Sequence, residues 1–391
     1  MGPCAGALLI FFGTVALSAD IDIWNENNTV PTNDIRPDGA RLPRVLNFFP
    51  VPVEEECNAN DGRRNGVCMN TYECRIQGGK SHGFCAMGFG VCCVFTATCG
   101  QEIINNITYF VNPDFPDLTT RMTSCMINVK KIDPEIAQIK LDFIHFNIGQ
   151  PNRTTGVCEE DFFTISSENS TKELKMCGLN SGQHIFYDVE SIDVKIRVNL
   201  SRKIVARLWE VRVTQIPFTQ RAPVGCLQYH QGSTGVIQTM NFADNGRHLA
   251  DQDYNICIRQ EAGACSIAYE PCHENAFRIA PNNQNGSTDG DLEELGSGQE
   301  ETRSMEICND KIIMPCDSDD LLAGMFGVMP GYCSLVHCGA SLCPSGMDPC
   351  RIESSVTPFT IGVHFGPSAR QISPDDNLGM CLTYEQLSCD V

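Results

Sequence analysis

The sequence is short of positive charge and of long apolar runs, and each shortage removes a class of function. Lys and Arg total 28 against 48 Asp and Glu, a formal charge of −20 at a pI near 4.7. Nucleic acid and anionic lipid both repel such a chain, so neither is expected as a general partner. Beyond the first twenty residues no segment is apolar enough to cross a bilayer, which takes roughly 20 such residues. The end of the chain, Ser388-Cys389-Asp390-Val391, lacks the hydrophobic tail of a lipid-anchor signal.

Cysteine, by contrast, is abundant, with 23 residues. Cys4 falls in an N-terminal leader whose apolar core runs from Ala5 to Leu17 and whose small residues Ala16, Ser18 and Ala19 suit a signal peptidase. No Lys or Arg precedes that core, so the amino terminus alone supplies the positive charge. Residues 1–19 are expected to be a cleaved signal peptide. The other cysteines (23 − 1 = 22) are even in number and fall into blocks of six, four and twelve. At this density behind an export signal, cysteines are expected to form structural bridges rather than metal or redox sites, so the mature protein should be secreted and extracellular. Six Asn-x-Ser/Thr triplets, at Asn27, Asn106, Asn152, Asn169, Asn199 and Asn285, are candidate glycosylation sites in that compartment.

Charge is unevenly placed. Lys195, Arg197, Arg202, Lys203, Arg207 and Arg212 crowd one stretch, while residues near 282–302 are rich in Gly, Ser, Asp and Glu and read as an acidic surface insertion. A solvated sheet face is the first account of the basic stretch. A docking patch for a sulfated glycan or an acidic protein is the second.

Residues 20–56, rich in Asn, Pro and Asp, read as a flexible arm. Residues 57–93 then hold six cysteines spaced Cys57-x10-Cys68-x5-Cys74-x10-Cys85-x6-Cys92-Cys93. So short a segment cannot bury a sufficient core, and bridges must replace it. Six cysteines allow 15 pairings. The closing Gly88-Phe89-Gly90-Val91-Cys92-Cys93, with Gly66-Val67-Cys68 and the five-residue gap to Cys74, resembles the clip domains of arthropod haemolymph proteins, with a short segment between Cys74 and Cys85. That resemblance implies bridges Cys57–Cys92, Cys68–Cys85 and Cys74–Cys93.

From Cys99 to residue 219 the pattern is all-β. Ile139, Leu141 and Phe143 alternate with polar residues, and the apolar phase then shifts by one to Ile144, Phe146 and Ile148, which predicts a bulge or a strand end near Phe143-Ile144. Further strands are expected over 163–165, 185–189, 194–198 and 208–213, with turn-rich segments between them, as in a sandwich. Cys99-Gly100, Cys125, Cys158 followed by Glu159-Glu160-Asp161-Phe162, and Cys177-Gly178 resemble the four-cysteine CUB domain, as found in secreted CUB proteins of insects. The resemblance implies that first pairs with second and third with fourth. Residues 226–389 resemble a divergent second CUB domain. Gly225-Cys226-Leu227-Gln228-Tyr229 and Tyr254-Asn255-Ile256-Cys257 stand at its start, Cys308-Asn309-Asp310-Lys311-Ile312-Ile313 in place of the third-cysteine strand, and Gly379-Met380-Cys381-Leu382 at its last strand. Cys226 and Cys257 are expected in bridges, while Cys333, Cys338, Cys343 and Cys350 exceed the pattern and leave their pairing open. The expected architecture is all-β: two CUB-type antiparallel β-sandwiches preceded by a small disulfide-rich clip-like module.

Catalytic and metal chemistry find little support. After Cys93 there is no Gly-x-Ser-x-Gly elbow, Ala-Ala-His-Cys or Gly-Asp-Ser-Gly-Gly segment, and the eight histidines are scattered. Cys333, Cys338, Cys343 and Cys350 with His337 superficially resemble a zinc site, but oxidation during export favours bridges. The CUB resemblance implies a calcium site built from a Glu, an Asp three residues after the third cysteine and a later Asp. Asp161 fills the middle role, but Gly149 stands where the Glu is expected and Asn199-Leu200-Ser201 supplies no acid. One carboxylate cannot provide the several oxygens calcium needs, so no metal or other cofactor is expected there. Asp310, Asp375 and Asp376 are candidate ligands in the second domain. The reading is a secreted, non-catalytic protein that binds an extracellular protein or glycan, with a matrix component or a non-protease regulator of haemolymph proteolysis as the alternatives.

Overall fold

A computed structural model of the chain describes residues 56–167, 173–189, 193–203, 205–243, 246–279, 308–315, 334–343, 349–367 and 377–389. The expected signal peptide, the arm up to residue 55, the acidic insertion, Asn27, Asn169, Asn285, Cys316, Cys333, Asp375 and Asp376 lie outside the described residues.

The cysteine-rich segment folds as β1 (Glu56–Asn58), β2 (Asn65–Met69), α1 (Thr71–Ile76), β3 (Lys80–Cys85) and β4 (Gly90–Ala97). Asn70 caps α1 by accepting from the Tyr72 N–H at 2.8 Å. Three bridges hold the segment together, Cys57–Cys92, Cys68–Cys85 and Cys74–Cys93. The segment does not stand apart as a bead. β4 pairs with β2 and β3 through one stretch and, through Phe95–Ala97, lies parallel to β6 of the next domain. Ala59, Val67, Val94, Ile107 and Tyr109 form one buried cluster across the join. Glu56, expected at the end of a flexible arm, instead pairs in β1 with Val67 and accepts from Arg212 at 3.2 Å.

The next domain contains β5 (Glu102–Ile103), β6 (Ile107–Val111), β7 (Ser124–Lys130), β8 (Ile136–Asn147), β9 (Phe162–Ser167), β10 (Leu174–Met176), β11 (His184–Asp188), β12 (Asp193–Asn199) and β13 (Leu208–Pro217). One sheet runs β1-β2-β4-β6-β13-β8-β11 with β3 beside β4, and the other runs β10-β9-β12-β7-β5. Their inner faces enclose Trp209 and a triangle of edge-on rings, Phe143, Phe146 and Phe163, with centroids 4.9 to 5.8 Å apart. The phase shift in β8 is a bulge. Glu210 faces His145 and Val211 faces Phe143, so Ile144 is left over and turns to solvent. Cys99–Cys125 and Cys158–Cys177 staple this domain.

The last domain contains β14 (Cys226–His230), β15 (Thr234–Gln238), β16 (Gln252–Ile258), β17 (Ala264–Pro271), β18 (Phe277–Arg278), β19 (Lys311–Ile313), β20 (Val336–His337), β21 (Ile352–Ser354), β22 (Thr360–Phe365) and β23 (Gly379–Ser388). Its sheets run β14-β16-β22-β19-β20 and β15-β23-β17-β21, with β18 beside β23. Pairing is antiparallel except at β4–β6, β5–β7 and β14–β16, which are parallel. Bridges join Cys226–Cys257, Cys265–Cys389, Cys272–Cys381, Cys308–Cys338 and Cys343–Cys350, so every bridge among the described residues stays within its own block of the sequence. The cysteines of the superficially zinc-like group that are described, at 338, 343 and 350, are thus all in disulfides. The buried apolar cluster of this domain is continuous with that of the preceding one.

Candidate functional site

Asp161 and Arg207 meet inside the first sandwich. Asp161 sits just before β9, and Arg207 just before β13, where its backbone bridges to Thr119. Both side chains are almost fully buried, at 1% and 0% exposure. The guanidinium donates to Asp161 Oδ2 from Nε at 2.6 Å and to Oδ1 from Nη2 at 3.0 Å, the bidentate fork that suits a carboxylate. The backbone N–H groups of Gly149 and Ser201 donate to the same carboxylate at 2.9 and 2.7 Å. Arg207 also donates to the Ser201 carbonyl and hydroxyl and to the Val205 carbonyl. Burial raises the Asp161 pKa, but the Arg207 guanidinium and the two N–H groups outweigh it and hold the carboxyl below its ordinary value. At Gly149 a Cβ would lie 2.8 Å from the Asp161 carboxyl carbon, so glycine is what lets the backbone come this close.

The residues here do not fit calcium. Both Asp161 oxygens accept from donors, Gly149 offers an N–H where an acidic side chain would be needed, and a fixed positive charge stands beside the carboxylate. In the second domain Asp310 is likewise buried, accepting from the Gly366 N–H at 2.8 Å with His248 Nε2 at 3.5 Å. Burial, then the charge of Arg247, pushes the His248 pKa down to about 3, so the ring is neutral and its contact with Asp310 is not an ion pair. Burial also lowers the Arg247 pKa to about 10, partly offset by Asp310, and leaves it charged.

The basic stretch divides rather than forming one patch. Arg207 must be removed from the docking set because it is internal. Arg212 leaves it too: it reaches Asp142 at 3.0 Å and Glu56 at 3.2 Å, tying β13 to β8 and β1. Lys203 is ion-paired with Glu160. Lys195 and Arg197 lie on β12 of the opposite sheet, half-buried and exposed respectively, and Arg202 is exposed. Spacing in sequence reported charge but not depth. Of the described candidate glycosylation sites, Asn106 and Asn152 lie in loops and Asn199 ends β12, each half-buried.

An open cleft that sequence reading did not find lies at the base of the first domain. Its volume is about 650 Å³, and Ile136, Val189, Phe218 and Val224 line it. Phe218 and Val224 are 59% and 68% exposed, and the Arg221 guanidinium stacks over Phe218 at 4.1 Å.

The family comparisons agree with this architecture. Residues 99–211 match the CUB domain model and residues 223–387 the animal CUB domain model, so the chain carries two CUB domains. Among solved structures, the CUB1-EGF-CUB2 domains of rat MASP-1 are 12% identical, with 74% of this chain and 99% of that one covered at a TM-score of 0.25. The corresponding domains of human MASP-1/3 are 14% identical, with 72% and 99% covered and a TM-score of 0.25. The MASP-1 CUB2 domain bound to Ca2+ is 17% identical, with 30% and 98% covered and a TM-score of 0.25. Comparison with curated proteins gives no match. CUB domains mediate protein–protein recognition in extracellular proteins, and no helix among the described residues is long and apolar enough to cross a membrane.

Proposed function

We propose that this is a secreted, non-catalytic binding protein that recognises an extracellular protein partner with its CUB domains. The observation that carries the reading is the tandem of CUB sandwiches whose buried charges, Asp161 and Arg207, pair with each other while the half-buried Arg212 pairs with Asp142 and Glu56. What remains for an incoming molecule is the outer surface, and we place the partner on the apolar cleft of Phe218 and Val224. Exposed apolar surface rimmed by polar groups is where protein partners gain most from excluding water.

Affinity capture from extracellular fluid with the whole secreted chain as bait tests this. A Val224→Asp variant, altered at an exposed position, should lose at least about tenfold in partner retention, since one desolvated charge costs more than the 1.4 kcal/mol that tenfold requires. Equal retention of the same partner by both proteins would refute the placement at the cleft. Retention on a sulfated-glycan column that falls with salt and with Lys195→Ala/Arg197→Ala would move recognition to the β12 face. Light scattering over a concentration series separates the matrix alternative, which requires growing assemblies where a binding protein remains monodisperse.

A further inference from the structure

The two CUB domains meet where β11, an edge strand of the first, runs against β14, the first strand of the second. Two histidines face each other there. The rings of His184 and His230 are 4.8 Å apart between centroids. His184 Nε2 lies 3.1 Å from the Tyr229 backbone N and 3.0 Å from its carbonyl oxygen. The ring accepts from that N–H only when Nε2 carries no proton; a proton there breaks this bond and turns the nitrogen to the Tyr229 carbonyl, which partly offsets the effect of burial. His230 Nε2 is buried and has no hydrogen-bond partner among the described residues. A proton added there would be a buried donor with nothing to receive it. Phe186 packs edge-on to His184, Tyr229 edge-on to Phe186, and Tyr384 edge-on to His230.

One anion lies near, Asp142, opposite His184 on β8; it favours a charged His184 ring but is outweighed by burial and by Lys140. From β8 the facing groups are Lys140 and Asp142, already paired with each other at 2.8 Å, and Arg212 of β13 also engages Asp142. On β11 itself, Asp188 accepts from Gln138. On the second domain, Tyr229 and Tyr384 present aromatic rings rather than carboxylates, and Arg259 beyond His230 pairs with Glu261. Burial, followed by the charge of Lys140, holds the His184 pKa below its ordinary value. Burial, then His184, then Lys140 push His230 from 6.5 down to about 4.

We propose that the His184–His230 pair makes docking of the two CUB domains sensitive to acid: neutral rings close the joint, and protonated rings open it. The sign follows from linkage. Both rings resist protonation when docked, so the docked state is fully stable above pH 6.5. It loses stability as pH falls from 6.5 towards about 4, because only the open state takes up the protons. His230 alone, moving from 6.5 when open to about 4 when docked, weakens the docking equilibrium by about 30-fold at pH 5 relative to pH 7.5. The disulfides keep each sandwich folded meanwhile, so the response is a change of domain arrangement rather than unfolding. The proposal does not depend on which partner the protein binds.

Small-angle X-ray scattering of the whole secreted chain between pH 7.5 and 4.5 tests it, with far-ultraviolet circular dichroism on the same samples. The expected result is a reversible increase in maximum dimension below pH 6.5 at constant strand content, and a flattened pH response in His230→Phe. Unchanged dimensions across the range, or a His230→Phe variant that opens over the same window, would overturn the proposal. Should that variant fail to fold, imidazole NMR of the wild type decides instead. Rings of His184 and His230 that titrate at ordinary values refute it, and rings that stay neutral until the molecule opens support it.

Discussion

At the residue scale, the bidentate pair of Asp161 and Arg207 places two opposite charges in the interior of the first sandwich. Asp161 is recognisable as the acid three residues after Cys158, but its partner Arg207 stands among five other basic residues and looks like surface. Its depth goes with its place just before β13, where its backbone bridges to Thr119 and its guanidinium reaches Asp161, and no count of charges reveals that. Removing one member of a buried pair leaves the other uncompensated, so Arg207→Met should destabilise the chain by about 3–5 kcal/mol in urea denaturation. The double variant Asp161→Asn/Arg207→Met should lose less than the sum of the single changes. Asp161 titrates below its ordinary 3.8 in the folded state. Its contribution is therefore present above pH 3.8 and is lost as pH falls through the lower folded value, so the gap between wild type and Arg207→Met should shrink in strong acid. A micromolar calcium site would add about 4 kcal/mol at millimolar calcium. Calorimetry with calcium or chelator should instead find the first domain's melting unchanged.

At the element scale much was legible. The one-residue shift in apolar phase at Phe143-Ile144 is the bulge in β8, because a period-two pattern cannot change faces without an extra residue. Segments 163–165, 194–198 and 208–213 lie within β9, β12 and β13, and 185–189 overlaps β11 up to Asp188, for the same reason. The partners of the surplus cysteines were not legible, since pairing depends on which strands become neighbours. Cys265 and Cys389 are 124 residues apart and meet because β17 pairs with β23. Cys343 and Cys350 are only 7 apart. Chain entropy sets the two apart: replacing both cysteines with serine should cost about 5 kcal/mol for the long loop and about 2.5 kcal/mol for the short one. Reversible guanidinium unfolding of the two double variants would check the order.

At the scale of the whole molecule, modules that read as separate in the sequence are docked. Asn241 holds the second domain to the first. Its backbone lies in the left-handed region at φ 61°, its side chain accepts from the Leu179 N–H at 2.8 Å, and its own N–H donates to Asn180 at 2.7 Å. Gly178, at φ +84°, leaves room for it, since a Cβ there would come within 2.0 Å of Asn241 Oδ1. Gly178→Ala should therefore loosen the joint and destabilise the protein by more than about 1 kcal/mol, read as faster proteolysis of residues 217–225. By itself the sequence determined the class of fold and the positions of several strands of the first CUB domain, through alternation of apolar residues and through cysteine spacing, because both act over a few residues. Only the tertiary structure decided that the cysteine-rich segment extends the first CUB sheet, that Arg207 turns inward, and that two histidines 46 residues apart face each other where the CUB domains meet. Those outcomes depend on which surfaces exclude water from each other, and a linear pattern cannot state that. The spacing of the cysteines from Cys57 onward thus marked the modules, while buried contacts join the two CUB domains.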